Sequence, residues 1–221
     1  MGASENSIRK AVHSITSPKQ IEGYRTNGLS ISHVRVNSVE GILEDRDYPY
    51  SGQEVVRADF SYEYSDKLGT NDASGKIEVR TESNIFILKK ETGTAPKDRI
   101  INQIEHTLDN MIDSKISLYN KIRSNIQDTW EFVLEAEGKD NLVLEKGSKS
   151  ERFNSLIESG KSGKEIADEY LVVSGDLRFR THTGSLVPVK YDEGKISIRS
   201  QNREDFEYVI QLFESILIDE N

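Results

Sequence analysis

The chain has 221 residues, with 29 basic and 38 acidic side chains and a formal charge of -9. Apolar residues make up 35% and charged residues 30%, so the core is modest and the surface heavily solvated, yet a chain of this length buries about 70% of its unfolded surface when it folds. There is no cysteine, which excludes disulfides, thiolate zinc sites, iron–sulfur clusters and a cysteine nucleophile.

No apolar stretch approaches the ~18 residues of a membrane span. The first residues, MGASENSIRKAVHSI, lack the apolar run of a signal peptide, and Asn6 stands where myristoylation at Gly2 would need a hydroxyl. A soluble, cytoplasmic protein without a lipid anchor is therefore expected.

In chain order, a short helical pattern at Ser7 to Ile15 precedes a polar stretch holding Pro18, Gly23 and Gly28. From Val34 the apolar alternation changes parity near Asn37 and Ser38, as a strand with a bulge would. Glu54 to Tyr64 puts Val56, Ala58, Phe60, Tyr62 and Tyr64 on one face and Arg57, Asp59, Ser61 and Glu63 on the other, the pattern of a half-buried strand. Lys76 to Thr81 and Asn84 to Lys90 repeat it, and the turn-rich residues Gly69 to Gly75 read as the connection of an antiparallel meander. The polar side of this sheet reads as a solvated face with cross-strand ion pairs.

Pro96 to Glu137 contains no further Gly or Pro, and Ile101, Ile104, Leu108, Met111, Leu118 and Ile122 recur at helical spacing. Thr94 is a candidate N-cap, with Pro96 and Asp98 suited to a first turn. A helix over 97–123 would be about 40 Å long at ~1.5 Å per residue, long enough to join two halves or to pair with another helix. Periodicity leaves 124–137 open between strand, from Trp130, Phe132 and Leu134, and helix ending at Gly138.

Leu142 to Glu145 reads as a short strand. Glu151 to Ser159 and Gly163 to Tyr170 read as short helices joined by the turn Gly160 to Ser162. Strands follow at Leu177 to Thr181, Leu186 to Tyr191 and Lys195 to Arg199. Asn202 to Ile218 is a helix with Phe206, Val209, Ile210, Phe213, Ile216 and Leu217 on its apolar stripe.

Motif chemistry is sparse. The run SGKSGK at 159–164 lacks the leading glycine of a phosphate loop, with Ser155 or Glu158 in its place. The helix pair around it has the outline of a helix-turn-helix, but Glu165, Asp168 and Glu169 on its second helix oppose phosphate binding. His106, Asn110 and Asp113 share a helix face without the second histidine or the Glu-x-x-His pairing of helical metal sites. No nucleophile elbow accompanies His13, His33 or His182. No catalytic residue, metal or cofactor is assigned.

One feature stands out. In the last three strands Leu177, Phe179, Val187, Val189, Tyr191, Ile196 and Ile198 share a face that should bury against the final helix, leaving Arg178, Arg180, His182, Lys190, Lys195 and Arg199 to make an outward basic face on an acidic chain. The competing reading is that these cations pair with the chain's own carboxylates. The segment Leu186 to Leu217, two strands around Glu193-Gly194-Lys195-Ile196 followed by an acid-started helix, resembles the end of a TATA-binding-protein-type repeat. That resemblance implies a saddle gripping DNA with inserted aromatics, which the outward face here lacks.

The expected fold is α+β: antiparallel sheets in two halves joined by a long central helix, with a C-terminal helix packed on the last sheet. The expected divisions are a β-rich half at 1–95, the connecting helix at 96–128 and an α+β half at 129–221. The expected function is that of a non-enzymatic binding or regulatory protein whose basic sheet face engages an acidic protein segment or a nucleic-acid backbone. The alternatives are self-assembly through residues 97–123, whose heptad-like series includes Lys115, and an enzyme whose site leaves no local trace.

Overall fold

The computed structural model describes residues 24–26, 28–44, 46–67, 69–83, 85–111 and 125–218. The helical pattern at Ser7 to Ile15 lies outside them. The chain divides into two units, one formed by Met1–Glu40 and Gly52–Asn120, the other by Gly41–Ser51 and Lys121–Asn221.

The first unit is an antiparallel meander of β1 (Tyr24–Thr26), β2 (Leu29–Ser38), β3 (Glu54–Asp66), β4 (Gly69–Arg80) and β5 (Phe86–Gly93), followed by helix α1 (Lys97–Met111). The alternation along β3 works as expected: Val56, Ala58, Phe60 and Tyr62 point inward and join Leu29, Ile31, Ile77, Val79 and Phe86. Ile100, Ile101 and Ile104 of α1 complete this core, each buried aliphatic side chain contributing roughly 1.5–3 kcal/mol of transfer free energy.

Two local features differ from expectation. The bulge in β2 falls between Ser32 and Arg35, where His33 adopts φ 53°, and not at Asn37 and Ser38. Residues 69–75 are strand and not turn, because they continue the ladder with Phe60 to Asp66 of β3; Gly75 also lets β5 come close, since a Cβ there would lie 2.0 Å from the Lys89 carbonyl oxygen. On the polar side, Arg57 stands opposite Glu78 and its Nε donates to the carboxylate at 2.6 Å, while Lys76 stands opposite Asp59 at 3.4 Å. Asp59 also meets His33 Nδ1 at 3.1 Å, and the fully buried Arg80 donates from Nε to Glu78 at 2.9 Å. This is the cross-strand pairing expected of that face.

The long central helix is corrected. Helix α1 is described to Met111, residues 112–124 lie outside the described residues, and a separate helix α2 (Ile126–Glu135) begins at Asn125. Asn125 has extended backbone (φ -78°, ψ 173°), and its side chain accepts from Asp128 N at 2.8 Å, a cap that stops any helix arriving from upstream. Of the proposed self-assembly seam, Ile101 and Ile104 are buried in the first unit's own core, and Lys115, Leu118 and Ile122 lie outside the described residues.

The second unit contains α2, β6 (Gly138–Lys146), β7 (Lys149–Arg152), α3 (Phe153–Glu158), α4 (Gly163–Glu169), β8 (Leu171–Arg180), β9 (Leu186–Asp192), β10 (Lys195–Ile198) and α5 (Arg203–Leu217). Its strands form one antiparallel sheet in the order β10-β9-β8-β6-β7. Helices α2 and α5 bury one face of it. Phe132 packs on Phe179 and Phe213, with ring centroids 5.0 and 5.7 Å away, among Leu177, Val187, Val189, Tyr191, Val209, Leu212 and Leu217. Phe206, expected in this core, is only half-buried. The α3–α4 turn is built by Ser162, which caps Glu165 N while the Glu165 carboxylate reaches back to Ser162 N at 2.8 Å.

Helix α5 is also buried on its far side. The segment 41–51 crosses it as a strap: Ile42 N donates to Gln211 Oε1 at 2.8 Å, Tyr48 OH to the buried Glu214 carboxylate at 2.6 Å, and Tyr50 OH to the Ile218 carbonyl at 2.9 Å. Arg46 reaches α2, donating to Glu131 at 2.8 Å and Glu135 at 2.9 Å. The buried polar residues Gln211 and Glu214 of α5 thus serve as partners for the strap.

Candidate functional site

The face of the second sheet opposite α2 and α5 is exposed. Alternation along β8 and β9 puts Asp176, Arg178 and Arg180, and Leu186, Pro188, Lys190 and Asp192, toward solvent. Lys195 is half-buried on β10 and stands opposite Asp192, and Arg199, just past β10, is exposed while its backbone N–H holds the Pro188 carbonyl at 2.9 Å.

The cations fall into two groups. Arg178 meets Asp140 at 2.8 Å, its guanidinium lying over Gly138, where a Cβ would come within 2.4 Å of Nε. Gly138 is therefore a notch at the start of β6 and not a helix terminator. Arg180 grips Glu137 with two bonds, Nε at 2.6 Å and Nη2 at 3.0 Å, and donates from Nη1 to the Gly184 carbonyl at 3.0 Å. This pairing holds the Glu137 carboxyl below its ordinary range and raises Arg180 above its own.

Lys190 and Arg199 form no side-chain ion pair or hydrogen bond among the described residues. Asp176 stands directly opposite Lys190 in the register, but its carboxylate accepts from Asn141 Nδ2 at 2.8 Å. Asn141 reaches it from the β6 bulge, where it has φ 53°. The bulge thus diverts the one carboxylate that register assigns to Lys190.

His182 is placed apart from this face, in the β8–β9 turn. Its Nε2 lies 2.8 Å from Glu204 and its ring 5.9 Å from that of Tyr208, both on α5. The same turn is pinned to the first turn of α5 by Asp205, whose buried carboxylate accepts from Thr183 Oγ1 at 2.6 Å and Thr181 Oγ1 at 2.7 Å. Those hydroxyl donors, Thr183 foremost, hold the Asp205 carboxyl below its ordinary range. His182 therefore belongs to a hairpin clamp.

The face that remains carries Arg178, Arg180, Lys190, Lys195 and Arg199 with Glu137, Asp140, Asp176 and Asp192 interleaved. Its ion pairs are exposed and screened by solvent, and a guanidinium has five N–H donors, so Arg178 and Arg180 can bind an additional carboxylate without first breaking from their own. Neither Glu137 nor Asp140 was legible as a partner, because Glu137 ends the segment left open between helix and strand and Asp140 precedes the strand read at Leu142 to Glu145, in no assigned element.

Among the described residues no group of three or more His, Asp or Glu is arranged to hold a metal ion, and no helix is long and apolar enough to cross a membrane. No protein-family model, curated protein or solved structure matches the chain.

Proposed function

We propose that the protein is a non-catalytic binding module whose second unit engages an acidic protein segment across the outer face of the sheet β10-β9-β8-β6-β7. The observation that carries this reading is the sheet's one-sided cover: α2 and α5 occupy one face, while the other exposes Lys190 and Arg199 with no partner of their own among the described residues.

An acidic peptide fits better than a nucleic acid for two reasons. Asp140, Asp176 and Asp192 interrupt the cations, so a continuous phosphate backbone would meet like charge, whereas carboxylates spaced along a peptide can fall between them. The face also has no aromatic side chain on which a base could stack.

The test is fluorescence anisotropy of labelled oligoglutamate and of duplex DNA titrated with the full chain. The peptide should bind, with an affinity that falls steeply as salt rises toward about 0.15 M. The double variant Lys190→Glu, Arg199→Glu should weaken it at least about tenfold, a loss of ~1.4 kcal/mol. Preference for DNA, or indifference to the double variant, would overturn the reading.

A further inference from the structure

On the helical side of the second unit, α2 and α4 enclose an open groove of about 680 Å³. Its floor and one wall are Ile126, Trp130 and Leu134, at positions i, i+4 and i+8 of α2, and Ala167 of α4 forms part of the other wall. Leu134 is 64% exposed and Ile126 37%, two of the few large apolar side chains left in solvent among the described residues. Trp130 between them is fixed: its Nε1 donates to the Tyr170 carbonyl at 2.7 Å and its ring lies 6.2 Å from that of Phe153.

The rim is acidic, made by Glu131 and Glu135 on α2 and Asp168 on α4, and among the described residues no basic side chain lines the groove. Arg46 offsets part of that charge, but it is committed to both glutamates and only 30% exposed. One arginine shared by two glutamates, with Asp168 across from them, leaves the rim net negative, and net acid around an apolar floor complements a ligand with an apolar stripe flanked by cations.

We propose that this groove is a docking site for a basic amphipathic helix of a partner protein. Ile126 to Leu134 spans about 12 Å at ~1.5 Å per residue, just over two turns, matching apolar side chains of a partner at i, i+3, i+4 and i+7. A helix is favoured over an extended peptide because walls made of helix offer no free backbone ladder. A strand laid here would leave its own N–H and C=O groups unpaired, whereas a helix satisfies them internally. Lys and Arg flanking the stripe would meet Glu131, Glu135 and Asp168. The groove lies on the opposite side of the sheet from Lys190 and Arg199, so this inference does not rest on the acidic-peptide reading.

The experiment uses the full chain and a fluorescein-labelled synthetic peptide carrying leucines at i, i+3, i+4 and i+7 flanked by Lys and Arg, with a scrambled peptide of equal composition as control. The patterned peptide should bind with micromolar affinity, as a small interface allows, and the scrambled one at least about tenfold more weakly. Leu134→Glu and Asp168→Lys, both exposed and tolerable to the fold, should each reduce binding at least fivefold to tenfold, while Lys190→Glu, Arg199→Glu leaves it unchanged. Equal binding of the scrambled peptide, or less than a twofold effect of Leu134→Glu, overturns the proposal. Concentration-dependent dimerisation abolished by Leu134→Glu overturns it in favour of a second copy as the occupant.

Discussion

Both units build a five-stranded antiparallel sheet with one face on helix, yet their polar faces are neutralised in different ways. In the first unit the charges pair across neighbouring strands in register, Arg57 with Glu78 and Lys76 with Asp59. In the second, Arg178 and Arg180 are matched by Asp140 and Glu137, at or just before the start of β6, and Asp176 is turned toward Asn141, away from Lys190. In-register pairing there uses Arg57, Glu78, Lys76 and Asp59 but leaves the exposed Arg35 and Lys89 of the same face without an ion pair among the described residues. The two faces therefore differ in how their paired charges are matched, directly across the ladder in the first and around the β6 bulge in the second, and not in whether cations are left facing solvent.

The inner faces set the largest expected effect. Phe213, 1% exposed and edge-on to Phe132 at 5.7 Å, anchors α5 to the second sheet, and Phe213→Ala should cost about 3–5 kcal/mol in denaturant unfolding. An unchanged midpoint would mean that the helix stripe does not hold this sheet.

The polar faces come next. Arg57 and Glu78 are mostly buried, 27% and 18% exposed, so Arg57→Gln should cost about 1–2 kcal/mol, between the values for exposed and fully buried pairs. Arg178 and Asp140 are about half exposed, and Arg178→Gln should cost no more than about 0.5 kcal/mol. Equal losses at the two sites would remove the contrast between the faces.

A finer test concerns the hairpin clamp. Because hydrogen bonds from Thr183 and Thr181 lower the Asp205 carboxyl below the unfolded value of about 3.9, its contribution is complete at neutral pH and is lost as pH falls below that value through the folded one. Asp205→Asn should therefore melt below wild type at pH 7, with the gap narrowing in acid. A gap independent of pH would show that the side chain's shape, and not its charge, holds the turn.

Much of this contrast was legible residue by residue. Strict alternation placed Val56, Phe60 and Tyr62 inside the first sheet and Leu177, Phe179, Val187, Val189 and Tyr191 inside the second, because the period of two leaves no other assignment for a half-buried strand. What escaped depends on single residues breaking a pattern. Asn125 caps a new helix in a stretch whose apolar spacing continues the old one, and the Asn125-Ile126-Gln127-Asp128 run was the available signal. His33 and Asn141 take left-handed backbone that shifts register, which composition does not announce. The strap at 41–51 escaped for another reason: its partners Gln211 and Glu214 are polar, and helical periodicity assigns polar residues to solvent.

The sharpest measurement is a titration of the isotopically labelled full chain with unlabelled oligoglutamate, followed by amide chemical shifts at low salt. Binding by the outer face predicts shift changes centred on Arg178, Lys190 and Arg199 and their strand neighbours, with Ile126 to Glu135 of α2 unmoved. Shifts spread evenly over both sheets, or confined to residues away from β8, β9 and β10, would contradict it.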